Sequence, residues 1–442
     1  MVSRMEFREK YFPKPFEQEE DAMKNNKLCL VAPFVLTCGM IHAGNVVTDW
    51  NTIASTTIVA NGGKSPGASS VWFAYASLAV YDAVNAITGQ YQPFYYRFAG
   101  PGSASIDAAA VAAAHRILVN YFPSQKPALD NQFTSSLTGI TDGGDKDAGV
   151  AVGEAAAMAI ISARTSDGLE ANVTYVPGSG AGAWIPTPPS FSPPVTPWLG
   201  QMRPFTMKTA GDLLPDGPPA LNSEVWKRDY NLTRLYGGTA STTRSAAETE
   251  IGLFWTEHAT QQWARTFNTL VTTNNLGVQD SARMLAMFWT GAADAAIGCF
   301  NAKYKYGFWR PVTAIPAGGG AFGLTEDVTW APSGGATPAH PEYPAAHACI
   351  TGAVTPLIAS FFGTTRVHVL IDSKAFTDSV HQHTFEDTRN LMDEVFWARI
   401  YAGFHFYHSL EVGRQLGESV ASQLVQKHFR RYSHGGNAAG MQ

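Results

Sequence analysis

The stretch SARMLAMFWTGAADAAIGCFNAK, Ser281 to Lys303, has apolar residues at three- and four-residue spacing and few β-branched residues. That pattern predicts a long helix. Similar alanine-rich windows lie at Ser69 to Ile87, Ile106 to Tyr121 and Asp147 to Arg164, and strand-like alternation is scarce. We therefore predict an all-α protein.

A proline-rich segment, WIPTPPSFSPPVTPW, separates two helical halves at Trp184 to Trp198. Its prolines forbid both a helix and a central strand, and its aromatic rings need cover, so we expect it to wrap across the surface. Ser245 and Glu248 have the form of a capping box that begins another helix, which we expect to run through His258. The predicted organisation is a leader at 1–44, an N-terminal helical half at 45–244 and a C-terminal helical half at 245–442.

The leader contains a plausible export signal. Met23 begins the stretch MKNNK, and an apolar run from Leu28 to Ile41 and small residues follow. This order predicts a signal peptide that is cleaved near Ala43, and therefore a periplasmic or extracellular protein. The alternative is a buried first helix. The run is short and contains Pro33, so we expect no transmembrane anchor in the mature chain.

Composition limits the partners and the core. With 442 residues, 45% hydrophobic and 15% charged, the chain can bury a large core. The net charge of -5 gives no basic face that would neutralise a run of nucleic-acid phosphates, so nucleic acid is excluded as a partner. Cleavage would leave two cysteines, Cys299 and Cys349, which we interpret as small buried side chains rather than a disulfide framework. The sequence is compatible with a homo-oligomer without fixing its order.

Three short stretches in the last third of the chain supply cations and histidines. They are KYKYGFWRP at Lys303 to Pro311, PAAH at Pro344 to His347, and RIYAGFH at Arg399 to His405. Guanidinium and ammonium groups neutralise a tetrahedral oxyanion and donate directional hydrogen bonds to its oxygens. Histidine adds a lone pair and a proton that moves near neutral pH. We therefore predict an oxyanion site.

Spacing suggests how the first two stretches contribute. Lys303 and Arg310 are two helical turns apart, so they share one face if the helix persists to Pro311. In the second stretch a helix is expected to begin, because Pro344 suits an early position and alanines follow. The amides of the first turn, Ala345, Ala346 and His347, would then lack carbonyl partners and could donate to the anion.

The third stretch and the loop before PAAH carry further expectations. Arg399 and His405 would lie on different faces of a regular helix, and Gly403 offers the break that could bring them together. His340 and Glu342 are either supporting groups for the site or simple loop polarity, and we favour loop polarity.

The ordered pattern of these stretches resembles that of the vanadium-dependent haloperoxidases and the type 2 phosphatidic acid phosphatases, one superfamily with a shared oxyanion site. FWRPVTAI, Phe308 to Ile315, is similar in particular to the secreted bacterial haloperoxidase-like branch. The resemblance implies the helical bundles of the vanadium haloperoxidase and acid phosphatase type. It favours a haloperoxidase, because the membrane phosphatases need several apolar spans that this chain lacks.

The resemblance also implies roles for the matching residues. Lys303, Arg310 and Arg399, with the backbone at Ala346, would hold the oxygens of a vanadate cofactor. His405 would be the vanadate ligand and His347 the acid–base group, with hydrogen peroxide and a halide as substrates. In the phosphatase alternative, phosphate takes the place of vanadate, and His405 attacks a phosphomonoester to form a phosphohistidine.

The chain departs from the family pattern at several polar positions. Ala345 and Ala346 stand where the family has serine and glycine, Ala398 replaces a serine, and Ser409 replaces an aspartate. That aspartate orients the last histidine in much of the family. A second alternative is therefore a non-catalytic oxyanion-binding protein.

Overall fold

Helices dominate the part of the chain that the computed structural model describes, residues 44–320 and 323–432. In chain order they are α1 Val46–Ser55, α2 Pro66–Thr88, α3 Ile106–Tyr121, α4 Lys126–Thr138, α5 Gly144–Ala163, α6 Glu224–Gly237, α7 Ala246–Phe254, α8 Ala259–Thr273, α9 Val278–Tyr306, α10 Pro311–Ala314, α11 Ala346–Phe362, α12 Thr388–Tyr401 and α13 Tyr407–Lys427. Two strands, β1 Val369–Ser373 and β2 His381–Phe385, form an antiparallel hairpin. The all-α prediction is confirmed, with this small hairpin as an addition.

Most predicted helices have nearly the predicted bounds, but α7 is shorter than expected. The capping box is present: Ser245 accepts from the amide of Glu248, whose carboxylate accepts from the amide of Ser245. However, α7 ends at Phe254, and His258 caps the start of α8. The Phe254 carbonyl accepts from the Ser373 hydroxyl at 2.7 Å and from the Gln262 amide at 3.2 Å, so tertiary donors replace the next helical amide. The expected continuation through His258 is therefore wrong.

The long helix α9 lies at the centre of the core. It is buried along most of its length and packs against α2, α11 and α13. Trp289 of α9 stacks on Phe73 of α2 with ring centroids 4.1 Å apart. This packing holds the C-terminal end of α9, where Lys303 lies, inside the protein.

Helices α11 and α13 touch backbone to backbone. A Cβ atom on Gly417 would lie 2.2 Å from the carbonyl oxygen of Cys349, and one on Gly413 would lie 2.8 Å from that of Ala345. Glycine is therefore required for this close approach. The contact places the first turn of α11 beside the first turn of α13.

The proline-rich segment Trp184 to Trp198 lies against the body of the protein, as predicted. The Trp184 ring is buried, and the amide of Val195 donates to the carbonyl of Ala339 at 2.9 Å. The Tyr304 hydroxyl of α9 donates to the Val195 carbonyl. The segment is thus tied to α9 and to the loop before His340.

The remaining expectations on organisation concern the chain ends and the cysteines. The described residues fall within one compact unit, His42–Gln442, and the division into halves at 245 stays a prediction. The predicted signal peptide lies outside the described residues. Within them, no helix combines the length and the apolar character needed to cross a membrane. Cys299 and Cys349 are free and buried, as expected.

Candidate oxyanion site

Lys303 and Arg310 come together through a turn and not along one helix. Helix α9 ends at Tyr306, and Gly307 follows in the left-handed conformation with φ 55°, its amide donating to the Lys303 carbonyl at 2.9 Å. A left-handed glycine terminates a helix in this way because it carries no Cβ atom. Arg310 therefore caps the short helix α10. The expectation that the helix persists to Pro311 is wrong, although both cations reach the same site.

Arg310 lies at the centre of the site. Its guanidinium is fully buried, and Nη1 contacts His405 Nε2 at 3.1 Å and the Phe404 carbonyl at 2.9 Å. Nε donates to the His340 carbonyl at 2.9 Å, and Nη2 lies 3.0 Å from His340 Nδ1. Burial lowers the pKa of Arg310 to about 10, a value at which it remains protonated at neutral pH. It joins the first and third stretches directly.

Lys303 is equally buried and keeps one hydrogen to spare. Its ammonium donates to the carbonyls of Pro341 and Glu342, each at 2.9 Å. An ammonium has three donors, so one remains. Burial lowers the pKa of Lys303 to about 8, with Arg310 contributing to the decrease.

The second stretch supplies the start of α11, with one difference from expectation. Ala345 is the cap, and its amide donates to the Ser409 carbonyl at 3.1 Å, so it is not unpaired. The amides of Ala346 and His347 lie in the first turn, where no carbonyl of the helix can accept from them. The His347 ring has a buried Nε2 without a partner among the described residues.

Gly403 breaks the third stretch as predicted. Helix α12 ends at Tyr401, Gly403 has φ 76°, and His405 lies in the connection before α13. Arg399 stays on α12, where Nη1 donates to the Trp255 carbonyl at 2.6 Å. Its buried Nε has no hydrogen-bond partner in the described chain. The break thus lets His405 meet Arg310 while Arg399 keeps donors free.

Glu342 is the group that the sequence interpretation missed. It is fully buried, and Oε1 accepts from His405 Nδ1 at 2.8 Å and from the Phe406 amide at 3.0 Å. Burial raises the pKa of Glu342 to about 7, against the opposing charges of Lys303 and Arg310. Its interpretation as loop polarity is wrong, and so is that of His340, which contacts Arg310. The sequence did contain one indication. Ser409 replaces the aspartate that orients the last histidine in much of the family, so another carboxylate had to be sought for that role.

The three buried cations make this a strongly positive site. Lys303, Arg310 and Arg399 donate to backbone carbonyls, and within the described residues none of them forms an ion pair with a carboxylate. Burial, followed by these positive charges, lowers the pKa of His347 and of His405 well below the usual histidine value. Buried charges are normally paired, so this arrangement attracts an anion.

Comparisons with known proteins agree with the fold. Residues 283–435 match the family model described as the VCPO second helical-bundle domain. A bacterial vanadium-dependent iodoperoxidase is similar at 22% identity and a TM-score of 0.73, with 89% of this chain and 98% of that chain covered. The apo form of a bacterial vanadium-dependent chloroperoxidase is similar at 15% identity and a TM-score of 0.66, with 81% and 93% covered. The holo form of a bacterial vanadium-dependent chloroperoxidase is similar at 16% identity and a TM-score of 0.66, with 88% of this chain and 98% of that chain covered.

No curated protein matched the sequence. The family and structural matches confirm the helical fold and the resemblance to the vanadium haloperoxidase superfamily. The resemblance to its exported branch stays a prediction.

Proposed function

We propose that this chain, which carries the second helical-bundle domain of the vanadium haloperoxidase superfamily, is a vanadate-dependent haloperoxidase that oxidises a halide with hydrogen peroxide. One observation carries the proposal. Three buried cations converge on a neutral histidine without an ion-pairing carboxylate among the described residues, while buried donor and acceptor atoms beside them stay free. A doubly charged tetrahedral anion meets both needs.

The residues present fit a vanadate group. Lys303, Arg310 and Arg399 would hold its oxygens, aided by the first-turn amides of Ala346 and His347. Arg399 Nε and His347 Nε2 are among the buried atoms that lack hydrogen-bond partners in the described chain. These amides and the free guanidinium donors can partly replace the hydroxyl groups that Ala345 and Ala398 do not supply.

His405 is proposed as the vanadate ligand. Its Nδ1 faces Glu342, so the lone pair lies on Nε2, which now accepts from Arg310 Nη1. Ligation at Nε2 therefore requires Arg310 to transfer this hydrogen bond to the anion. When bound, vanadate would supply Lewis-acid activation of the peroxide without a change in its own oxidation state.

His347 is proposed to move protons. Its low pKa keeps the ring neutral at pH 7, so Nε2 can accept a proton from peroxide that enters the site and return it to a leaving oxygen. The Nε2 atom itself is buried, although the residue as a whole is only partly buried. The proposed substrates are two small molecules, hydrogen peroxide and a halide.

Phosphomonoester hydrolysis is the second candidate, and the contact between His405 and Glu342 favours it. A neutral imidazole that a buried carboxylate orients is also the arrangement of a nucleophilic histidine. In that case His405 Nε2 attacks phosphorus as the bond from phosphorus to the ester oxygen breaks, and the cations stabilise the transferring group. His347, protonated when the bound anion raises its pKa, gives that proton to the departing alkoxide.

Side-by-side assays of the purified chain test these proposals. We expect peroxide-dependent bromination after loading with orthovanadate, and its loss in His405→Ala and in His347→Ala. His368→Ala is the matched control, because His368 is exposed and pairs with Glu386 on the hairpin. Bromination that survives His405→Ala refutes the ligand assignment. Phosphate release without bromination moves the function to a phosphatase, and anion binding without either activity moves it to a non-catalytic binder.

Export is proposed from the leader alone. Secretion from a host that recognises the signal should yield a chain that begins near residue 44. N-terminal sequencing of the secreted protein measures the cleavage site, and retention of the intact leader in the cell would contradict it.

A further inference from the structure

We propose that Glu342 positions His405, and that it takes over the task of the aspartate that the family pattern places at position 409. The inference rests on the proposed function for its meaning, because positioning matters only if His405 binds vanadate or attacks phosphorus. The geometry behind it is independent of which chemistry occurs.

Two hydrogen bonds fix the Glu342 carboxylate against the ring. Oε1 lies 2.8 Å from His405 Nδ1 and 3.0 Å from the amide of Phe406, so one oxygen receives both the ring and the next backbone amide. Glu342 and His405 are both almost fully buried, at 0% and 2% exposure. Water therefore does not compete for Nδ1, and the ring cannot turn without losing a buried contact.

The opposite ring nitrogen confirms which tautomer these contacts select. His405 Nε2 lies 3.1 Å from Arg310 Nη1, and an arginine only donates. Nε2 must therefore carry the lone pair, and Nδ1 the hydrogen that Glu342 accepts. These two contacts therefore select the tautomer that presents a lone pair to an anion.

Position 409 lies next to Glu342, which explains why both sites do not carry carboxylates. The Ser409 carbonyl accepts from the Ala345 amide at 3.1 Å, and Ser409 lies in the first turn of α13, which begins directly after Phe406, whose amide donates to Glu342. An aspartate at 409 would place a second negative charge beside Glu342 in a buried region. Such a pair cannot ionise fully, so one carboxylate excludes the other.

A positioning role and a purely electrostatic role predict opposite effects on anion binding. If Glu342 acted only through its charge, its removal would leave the site more positive, and every anion would bind more tightly. If Glu342 positions His405, its removal weakens the binding of vanadate, because vanadate forms a bond to Nε2. The binding of phosphate is not weakened, because phosphate forms no such bond when it binds. The ratio of the two affinities therefore separates the roles.

The experiment compares Glu342→Ala with Glu342→Gln by calorimetric titration of orthovanadate and of inorganic phosphate. Glutamine loses the charge but keeps an oxygen that accepts from Nδ1 and from Phe406, so it is the matched control. We expect Glu342→Ala to weaken the binding of orthovanadate by about 10–100-fold, which is the usual effect of removing a hydrogen-bond partner of a metal ligand. Glu342→Gln should weaken it by much less, and phosphate should bind as tightly or more tightly in both. The proposal would be overturned if the two variants lost the same orthovanadate affinity, or if the ratio of orthovanadate to phosphate affinity stayed unchanged in Glu342→Ala.

A compensating substitution extends the test. Ser409→Asp should restore vanadate affinity in the Glu342→Ala background and lower the stability of the chain that retains Glu342. Failure of the double variant to recover while it still binds phosphate would count against the exchange of roles.

The ¹⁵N chemical shifts of His405 keep the proposal testable if Glu342→Ala does not fold. They should show a protonated Nδ1 and an unprotonated Nε2 in the unaltered protein and in Glu342→Gln, and the opposite tautomer would refute it. If the unaltered protein binds neither anion, the proposed function fails, while the tautomer still decides the role of Glu342.

Discussion

Replacement of Gly403 by alanine should destabilise the protein and disturb the anion site together. The residue has φ 76°, and a Cβ atom there would lie 2.4 Å from the Gly237 carbonyl oxygen and 3.0 Å from Pro332 Cα. The left-handed conformation costs a non-glycine residue about 1–2 kcal/mol. Overpacking against a backbone that cannot rotate away adds about 1–3 kcal/mol. We therefore expect a loss of about 2–5 kcal/mol in the free energy of unfolding.

A control glycine separates the two contributions. Gly363 has φ 73°, but a Cβ atom there would meet nothing within 4 Å, so Gly363→Ala should cost only the conformational part, about 1–2 kcal/mol. Guanidinium denaturation of both variants measures the difference. Because His405 is two residues from Gly403, phosphate affinity should fall in Gly403→Ala and stay unchanged in Gly363→Ala. Equal destabilisation by the two substitutions would refute the packing argument.

Three further predictions follow from single contacts. Ser245→Ala removes the cap of α7 and should lower the free energy of unfolding by about 1 kcal/mol, measured by chemical denaturation; no change would contradict the capping box. Burial lowers the pKa of His383, but Glu394 and Glu250 outweigh it and raise the pKa above the usual histidine value. The stability lost in His383→Gln should therefore be larger at pH 5.5 than at pH 8.5, because the stabilisation is present below the unfolded pKa and disappears as pH rises through the folded one. Sulfate, whose charge is constant, should bind less tightly as pH rises through about 7, where Glu342 ionises, and should weaken further near pH 8, where Lys303 loses its proton. Between pH 6 and 8.5, Lys303→Arg should remove only the second decrease, because the guanidinium keeps its charge.

Local sequence determined the helices, and tertiary contacts determined what the sequence did not predict. The window Ile106 to Tyr121 has the bounds of α3 because alanines favour a helix and Ser105 caps its first turn. The hairpin Val369–Ser373 and His381–Phe385 was not predicted, since its strands are short and β1 packs against α8, which is distant in sequence. In the same way, α7 ends early because the hydroxyl of Ser373, 119 residues away, and the side-chain amide of Gln262, 8 residues away, both donate to the Phe254 carbonyl.

The candidate site shows the same division between composition and geometry. Residue types at Lys303, Arg310 and His405 were enough to predict an oxyanion site, because few ligands need that set. The path between Lys303 and Arg310 could not be predicted from their spacing, since one left-handed glycine redirected the chain. The partner of His405 was equally hidden, because Glu342 precedes it by 63 residues and meets it only in the folded protein.

The carbonyl partners of the three cations explain how a buried positive site can exist before an anion binds. A carbonyl dipole satisfies each donor geometrically but leaves its charge in place, so the hydrogen bonds fix Lys303, Arg310 and Arg399 without neutralising them. An ion-paired carboxylate would do both, and would then compete with any ligand. The unneutralised charge makes the free site less stable than the occupied one. An anion at about 100 times its dissociation constant would add about 2.7 kcal/mol to the free energy of unfolding, so occupancy and stability of this region are linked.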